Sequence, residues 1–163
     1  MQESVAAARK FLLKEKRRSS RIEGELGVML VLRRGQHGPI MAGPSYGALI
    51  DVSLCGAGLA VEQIRIDNCH LFYSPQDNSA QILHLEVSLS LEEGGEVLSI
   101  PVRPVRFDRF LDEEAVAKPF HVGVEFLPGP GDEHVCRLYE LVAEQNRRKG
   151  WWRRLLDMIL SVD

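Results

Sequence analysis

Leu83-His84-Leu85-Glu86-Val87-Ser88-Leu89-Ser90-Leu91-Glu92 alternates apolar and polar residues without a break. That period belongs to a strand with one buried face. Glu93-Gly94-Gly95 follows as a hairpin turn, and Leu98, Ile100 and Val102 begin the returning strand. Pro101 and Pro104 cannot donate ladder bonds, so this strand lies partly at an edge or carries a bulge before Val105 and Phe107 resume the alternation. Downstream, Phe120, Val122, Val124 and Phe126 alternate with His121, Gly123 and Glu125 as a sixth strand. Upstream, Leu26, Val28, Leu30 and Leu32 form a first strand, Tyr46 to Ser53 a second and Leu59 to Arg65 a third. The Gly- and Pro-rich stretch from Gly35 to Gly47 is expected to be a break, and 54–58 a tight turn. Residues 67–80 read as a longer connection with room for a helical turn. Six short strands without intervening helices imply an antiparallel sheet or a small barrel.

Helical spacing marks both ends of the chain. Residues 3–16 place Val5, Ala8, Phe11 and Leu12 on one face, a short helix that needs a partner surface. Asp132 suits a helix N-cap. It precedes a stripe of Val135, Leu138, Leu141, Val142 and Gln145 in residues 133–149, with Gly150 as a weak spot. Trp151, Trp152, Leu155, Leu156, Ile159 and Leu160 then form a very apolar stripe beside Arg147, Arg148, Lys149, Arg153 and Arg154. The division expected is an N-terminal helix or arm at 1–16, a β-domain at 17–131 and a helical extension at 132–163.

Composition bounds the function. With 163 residues, 45% hydrophobic and 26% charged, the chain can bury a real core and is not disordered throughout. Its three cysteines, Cys55, Cys69 and Cys136, are odd in number and far apart, which excludes a disulfide framework and fits a reducing compartment. No apolar run is long enough for a membrane span or a secretory signal, so a cytoplasmic location is expected. The net charge is −3, yet Arg9 to Arg21 alone carries +6. The rest is therefore acidic, which argues against a nucleic-acid-binding surface. A lone basic segment beside an acidic body suits an anion site or a docking arm, as well as a solvated helix.

Two patterns carry the chemistry. Arg17-Arg18-Ser19-Ser20-Arg21 crowds three guanidiniums that repel one another unless anions compensate. Their planar forks fit phosphate and the O6/N7 edge of guanine. Asp51-Val52-Ser53-Leu54-Cys55-Gly56 sets a carboxylate and a hydroxyl two apart at a strand end, on one face, before a glycine turn. A carboxylate accepts from guanine N1–H and the exocyclic amine. Together the patterns suggest a phosphorylated guanine compound. Each alone is common, the arginines on surfaces and Asp-x-Ser-x-x-Gly in turns.

Arg17-x-x-x-Arg21 followed by Asp51-x-Ser53-x-x-Gly56 resembles the two-part signature of PilZ domains, bacterial receptors for cyclic di-GMP. The resemblance runs from about Lys16 to Phe126 and includes Val102-Arg103-Pro104-Val105-Arg106 and the 120–126 strand. It implies an all-β fold with flanking helices: a six-stranded antiparallel barrel with a C-terminal helix, here with a short N-terminal helix added. It further implies that Arg17 and Arg21 hold guanine edges and phosphates and that Arg18 adds a stacking or phosphate contact. Asp51 would take the guanine amine side, Ser53 would contact ligand or fix the turn, and Gly56 would leave room for the ring. In the family the ligand often binds as an intercalated pair, a choice influenced by the residue before the arginines, here Lys16.

The leading expectation is a receptor with no catalytic residue, no metal and no cofactor beyond its ligand, cyclic di-GMP. It would transmit binding by rearranging the N-terminal arm to alter a partner interaction. The alternative is an adaptor of the same fold that does not bind the nucleotide. Trp151, Trp152, Leu155 and Leu156 suit a protein partner or self-association, in preference to peripheral contact with an anionic membrane. An enzyme is disfavoured. The five histidines are scattered, with His84 and His121 on outward strand positions. Asp51 and Ser53 have no histidine placed by motif, and Cys69-His70 and His134-x-Cys136 lack zinc spacing.

Overall fold

The structure, a computed structural model, describes residues 20–89, 93–109 and 120–161. The helix expected at 3–16, with Lys16, Arg17 and Arg18, lies outside them. Among the described residues eight strands and two helices follow in order: β1 (Ile22–Arg34), β2 (Ile40–Val52), β3 (Gly56–Val61), β4 (Arg65–Ile66), β5 (Cys69–His70), α1 (Ser74–Asp77), β6 (Gln81–Ser88), β7 (Val97–Arg109), β8 (Phe120–Phe126) and α2 (Glu133–Leu160). Six of the strands close an antiparallel barrel in the order β1-β2-β3-β8-β7-β6, and β4-β5 is a separate two-stranded hairpin. Closure pairs every barrel strand on both sides and leaves no open edge.

The inward alternation fills the barrel. Leu30, Leu32, Leu59, Leu83, Leu85 and Ile100 are all essentially inaccessible to water. One barrel end is capped by α2, whose Val135, Leu138 and Val142 join the same core. A side chain at Gly24 would run into Val142, so the missing Cβ allows α2 to approach β1 closely. Asp132 caps α2 as its type suggests, accepting from the His134 and Val135 N–H groups at 2.9 and 3.1 Å. The helix runs unbroken through Gly150. A mid-helix glycine costs only about 1 kcal/mol. Bonds flank it, with Arg148 on Glu144 at 3.0 Å and Lys149 on Glu25 at 2.9 Å.

Three local expectations are corrected. The Gly- and Pro-rich stretch is not a break from 35 to 47, because β2 starts at Ile40. Leu30 pairs with Ser45 and Leu32 with Ala42, so β2 has one extra residue there, and Gly43 sits in the bulge at φ +105°. The third strand is Gly56–Val61 and not 59–65, and the turn is confined to 53–55, because Gly56 and Gly58 already pair with β8. Arg65 belongs to the small β4-β5 hairpin. In β7, the bulge alternative holds, with a register shift between Pro104 and Arg106.

His84 points outward as read, yet it is buried. The β1–β2 turn folds over it and places the Gln36 carbonyl 3.0 Å from Nε2, while the Ile82 carbonyl of its own strand lies 3.1 Å from Nδ1. Beside it Glu86 is also buried and accepts from Arg33 at 2.7 and 3.0 Å. Burial pushes the His84 pKa below its ordinary value, helped by the Arg33 charge and opposed by the two carbonyls and Glu86. A depressed histidine leaves the unfolded chain binding the extra proton, so this group's stabilisation holds above the unfolded value and is lost on acidification. Chemical unfolding at neutral pH and near pH ~5.5 is expected to show lower stability in acid, with a shallower dependence in His84→Gln. An unchanged dependence would contradict this assignment.

Candidate functional site

At the rim where β1 begins and β2 ends, two bulges turn the backbone. On the β3 side Leu49 pairs with Leu59 but Asp51 with Gly58, and on the β1 side Glu23 pairs with Asp51 but Leu26 with Leu49. The result directs the Asp51 carboxylate across β3. Its Oδ1 accepts from the Gly58 N–H at 3.0 Å and from Arg21 Nη1 at 2.9 Å. The arginine and acidic motifs therefore meet through Arg21 and Asp51. Both side chains stay partly open, 36% and 25% exposed, so each retains capacity for a ligand.

Ser53 does different work. The strand ends at Val52, so Asp51 and Ser53 do not share a face, and Ser53 is buried. Its Oγ accepts from the N–H groups of Cys55 and Gly56 at 3.1 and 3.2 Å, and its own N–H donates to the Gly56 carbonyl at 2.9 Å. Of the two roles expected, the hydroxyl holds the turn. Gly56 is set by the barrel: a Cβ there would overlap the Val124 carbonyl of the neighbouring strand. Arg17 and Arg18 lie outside the described residues.

Register brings in residues that motif reading passes over. Gly58 lies opposite Gly123 on β8, and Gly123 opposite Arg106 on β7. A Cβ at Gly58 would stand 2.9 Å from Asp51 Oδ1 and 3.2 Å from His121 Nε2, and one at Gly123 would stand 3.0 Å from Arg106 Cγ. The two glycines thus form a low shelf over which Asp51, His121 and Arg106 converge, next to Arg21. At the row's edge Arg103 and Glu125 form an ion pair. The shelf can present two guanidiniums, a carboxylate and an imidazole to one flat anionic ligand. Gly56-Ala57-Gly58 and the glycine inside the sixth strand were the only sequence signals for it. Neither said that the two meet.

The shelf is open surface. A cleft of about 750 Å³ adjoins it, between β1, β2 and α2, lined by Glu23, Leu49, Lys149 and Arg153 among others. Another of about 610 Å³ lies around Arg33, His84, Ser99 and His134. Neither is lined by Arg21, Asp51, Ser53 or Gly56. Just past Arg21, β1 is fastened to α2. Asn146 donates to the Glu23 carbonyl at 2.7 Å, Gln145 to the Glu25 carbonyl at 3.1 Å, and Lys149 to the Glu25 carboxylate. The Lys149 hydrogen bond and charge hold the Glu25 carboxyl below its ordinary pKa.

The architecture matches the PilZ domain of YcgR from Escherichia coli, solved with cyclic di-GMP. The match has a TM-score of 0.51 at 14% identity, over 87% of this chain and 98% of that one. The chain has the PilZ fold. PlzA of Borreliella burgdorferi, solved in complex with cyclic di-GMP, is also similar, with a TM-score of 0.43 and 15% identity over 87% of this chain and 58% of that one. No family model and no curated protein matches the chain. In this PilZ barrel the shelf lies on the outer wall, and Arg21, the last residue of the arginine motif, reaches its edge from the position just before β1.

Proposed function

We propose that the chain is a PilZ-family receptor for cyclic di-GMP, without catalytic activity, and that the Arg21–Asp51 rim is its binding site. The observation that carries this reading is the direct meeting of the two motifs beside the glycine shelf of a PilZ barrel. YcgR, a protein of the same fold, is solved with this ligand. In the proposed complex, Arg17, Arg18 and Arg21 take phosphates and guanine edges. Asp51 accepts from the guanine N1–H and amine. Ser53 and Gly56 act by keeping the turn in shape, and Arg106 and His121 border the ring.

The energetics favour exchange of the existing pair for the ligand. A partly exposed ion pair such as Arg21–Asp51 stabilises by about 0.2–1 kcal/mol. Hydrogen bonds to charged groups contribute about 1.5–3 kcal/mol each. Each cyclic dinucleotide brings two phosphate charges that compensate the crowded arginines. The arm then closes over the rim, a recognised kind of switch. Because β1 is clamped to α2 at Glu23 and Glu25, a change at Arg21 reaches the helix through the next few residues of strand and alters what the helix can contact.

Hydrogen exchange with and without saturating cyclic di-GMP tests the switch. Protection is expected to rise across residues 5–24. Unchanged exchange despite binding would refute the arm mechanism, and an unaltered spectrum with no bound nucleotide would favour the adaptor reading. That second reading draws on the exposed apolar end of α2.

A further inference from the structure

Beyond Lys149, α2 continues past the barrel and carries apolar side chains into solvent. Trp151 is 58% exposed, Trp152 57%, Leu156 52%, Met158 62%, Ile159 63% and Leu160 77%. Seven of the ten residues from 151 to 160 are apolar, and five cations but a single acid, Asp157, lie between 147 and 160. At 100° per residue the apolar side chains sweep about 200° of the helix, centred roughly a quarter turn from the stripe that packs on the barrel. Arg154 and Arg147 border one edge of the sweep and Arg153 the other, while Lys149 is held by Glu25 and Arg148, near the middle of the sweep but one turn before the tryptophans, by Glu144. The two indoles stack edge-to-face, 5.1 Å apart.

We propose that this end of α2 lies flat on an anionic lipid surface, its apolar sweep in the acyl boundary and its bordering cations on the headgroups. Charge selects the occupant. A second copy of the helix would bring two sets of Arg147, Arg153 and Arg154 together, beyond the Arg148 and Lys149 already paired with Glu144 and Glu25, and the chain's own basic N-terminal segment carries the same sign. The width of the sweep selects lipid over a protein groove. Helix-in-groove contacts take a narrow line of anchors at i, i+3, i+4 and i+7, whereas a bilayer interface accepts half the circumference. Tryptophan and arginine together are favoured in that layer. No described helix is long and apolar enough to cross a membrane, so the segment rests on the surface. This departs from the sequence-based preference for a protein partner. The reason is that the apolar residues are spread round the helix and bordered by cations on both sides. The inference does not depend on nucleotide binding.

The chain has two tryptophans, both here, so their emission reports this surface alone. The test mixes the full chain with vesicles of phosphatidylcholine, with and without phosphatidylglycerol. Expected are co-sedimentation and a blue shift with the anionic vesicles only, weakened by salt. Trp151→Ser/Ile159→Ser and Arg147→Glu/Arg154→Glu are each expected to lose at least about tenfold in partitioning. These positions are at the surface, so both variants are expected to keep the fold, which far-ultraviolet circular dichroism checks. Three results would overturn the proposal: no binding to anionic vesicles, binding insensitive to both double variants, or sedimentation velocity showing a dimer that already buries the tryptophans without lipid.

Discussion

Asp51→Ala is expected to weaken cyclic di-GMP binding by at least about tenfold, and Arg21→Ala by a similar factor. Each removes a charged partner from the rim, where the carboxylate and guanidinium now stand 2.9 Å apart. The two substitutions should differ in their effect on the free protein. Asp51 Oδ1 also satisfies the Gly58 N–H, so its loss unties β2 from β3 locally, whereas among the described residues the hydrogen bond of Arg21 is the one to Asp51. Thermal unfolding should therefore place Arg21→Ala close to the parent and Asp51→Ala slightly below it. Near-parental affinity in both variants would remove these residues from the binding site.

Gly56→Ala is expected to cost about 1–3 kcal/mol of stability, the range for overpacking a close-fitted site. In a chain of this size that lowers the melting temperature by roughly 2–4 °C per kcal/mol. The cause is fixed backbone: the new methyl would meet the Val124 carbonyl, which the β3–β8 ladder holds in place. Gly129→Ala is the comparison, since a Cβ there meets nothing within 4 Å. Equal melting temperatures in the two variants would show that the barrel yields at Gly56, and would return that glycine to the ligand-clearance role suggested by its motif.

Much of the barrel is legible because its period is local. The alternation around Leu83 and around Val122 identifies two strands, Glu93-Gly94-Gly95 marks the turn between strands, and Asp132 starts the last helix where its side chain can cap it. What escapes is set by pairing across the sheet. Nothing local to Gly43-Pro44 says that a bulge opposite Leu30 and Leu32 will absorb them into β2. Nothing around Gly58 says that it will face Gly123, or that Arg106 will lie over the latter. Ser53 shows the same limit. Strand alternation would set it beside Asp51, but the strand stops at Val52 and the hydroxyl turns back to its own turn. The motif pair locates the rim, and the register supplies its shelf.

Calorimetric titration of the full chain with cyclic di-GMP, run beside Asp51→Ala, is the most direct test of the site. Saturable heat in the parent, lost or shifted at least about tenfold in the variant, is the predicted outcome. A parent that gives no heat and retains no nucleotide on dialysis, while its barrel unfolds cooperatively, would contradict the receptor assignment.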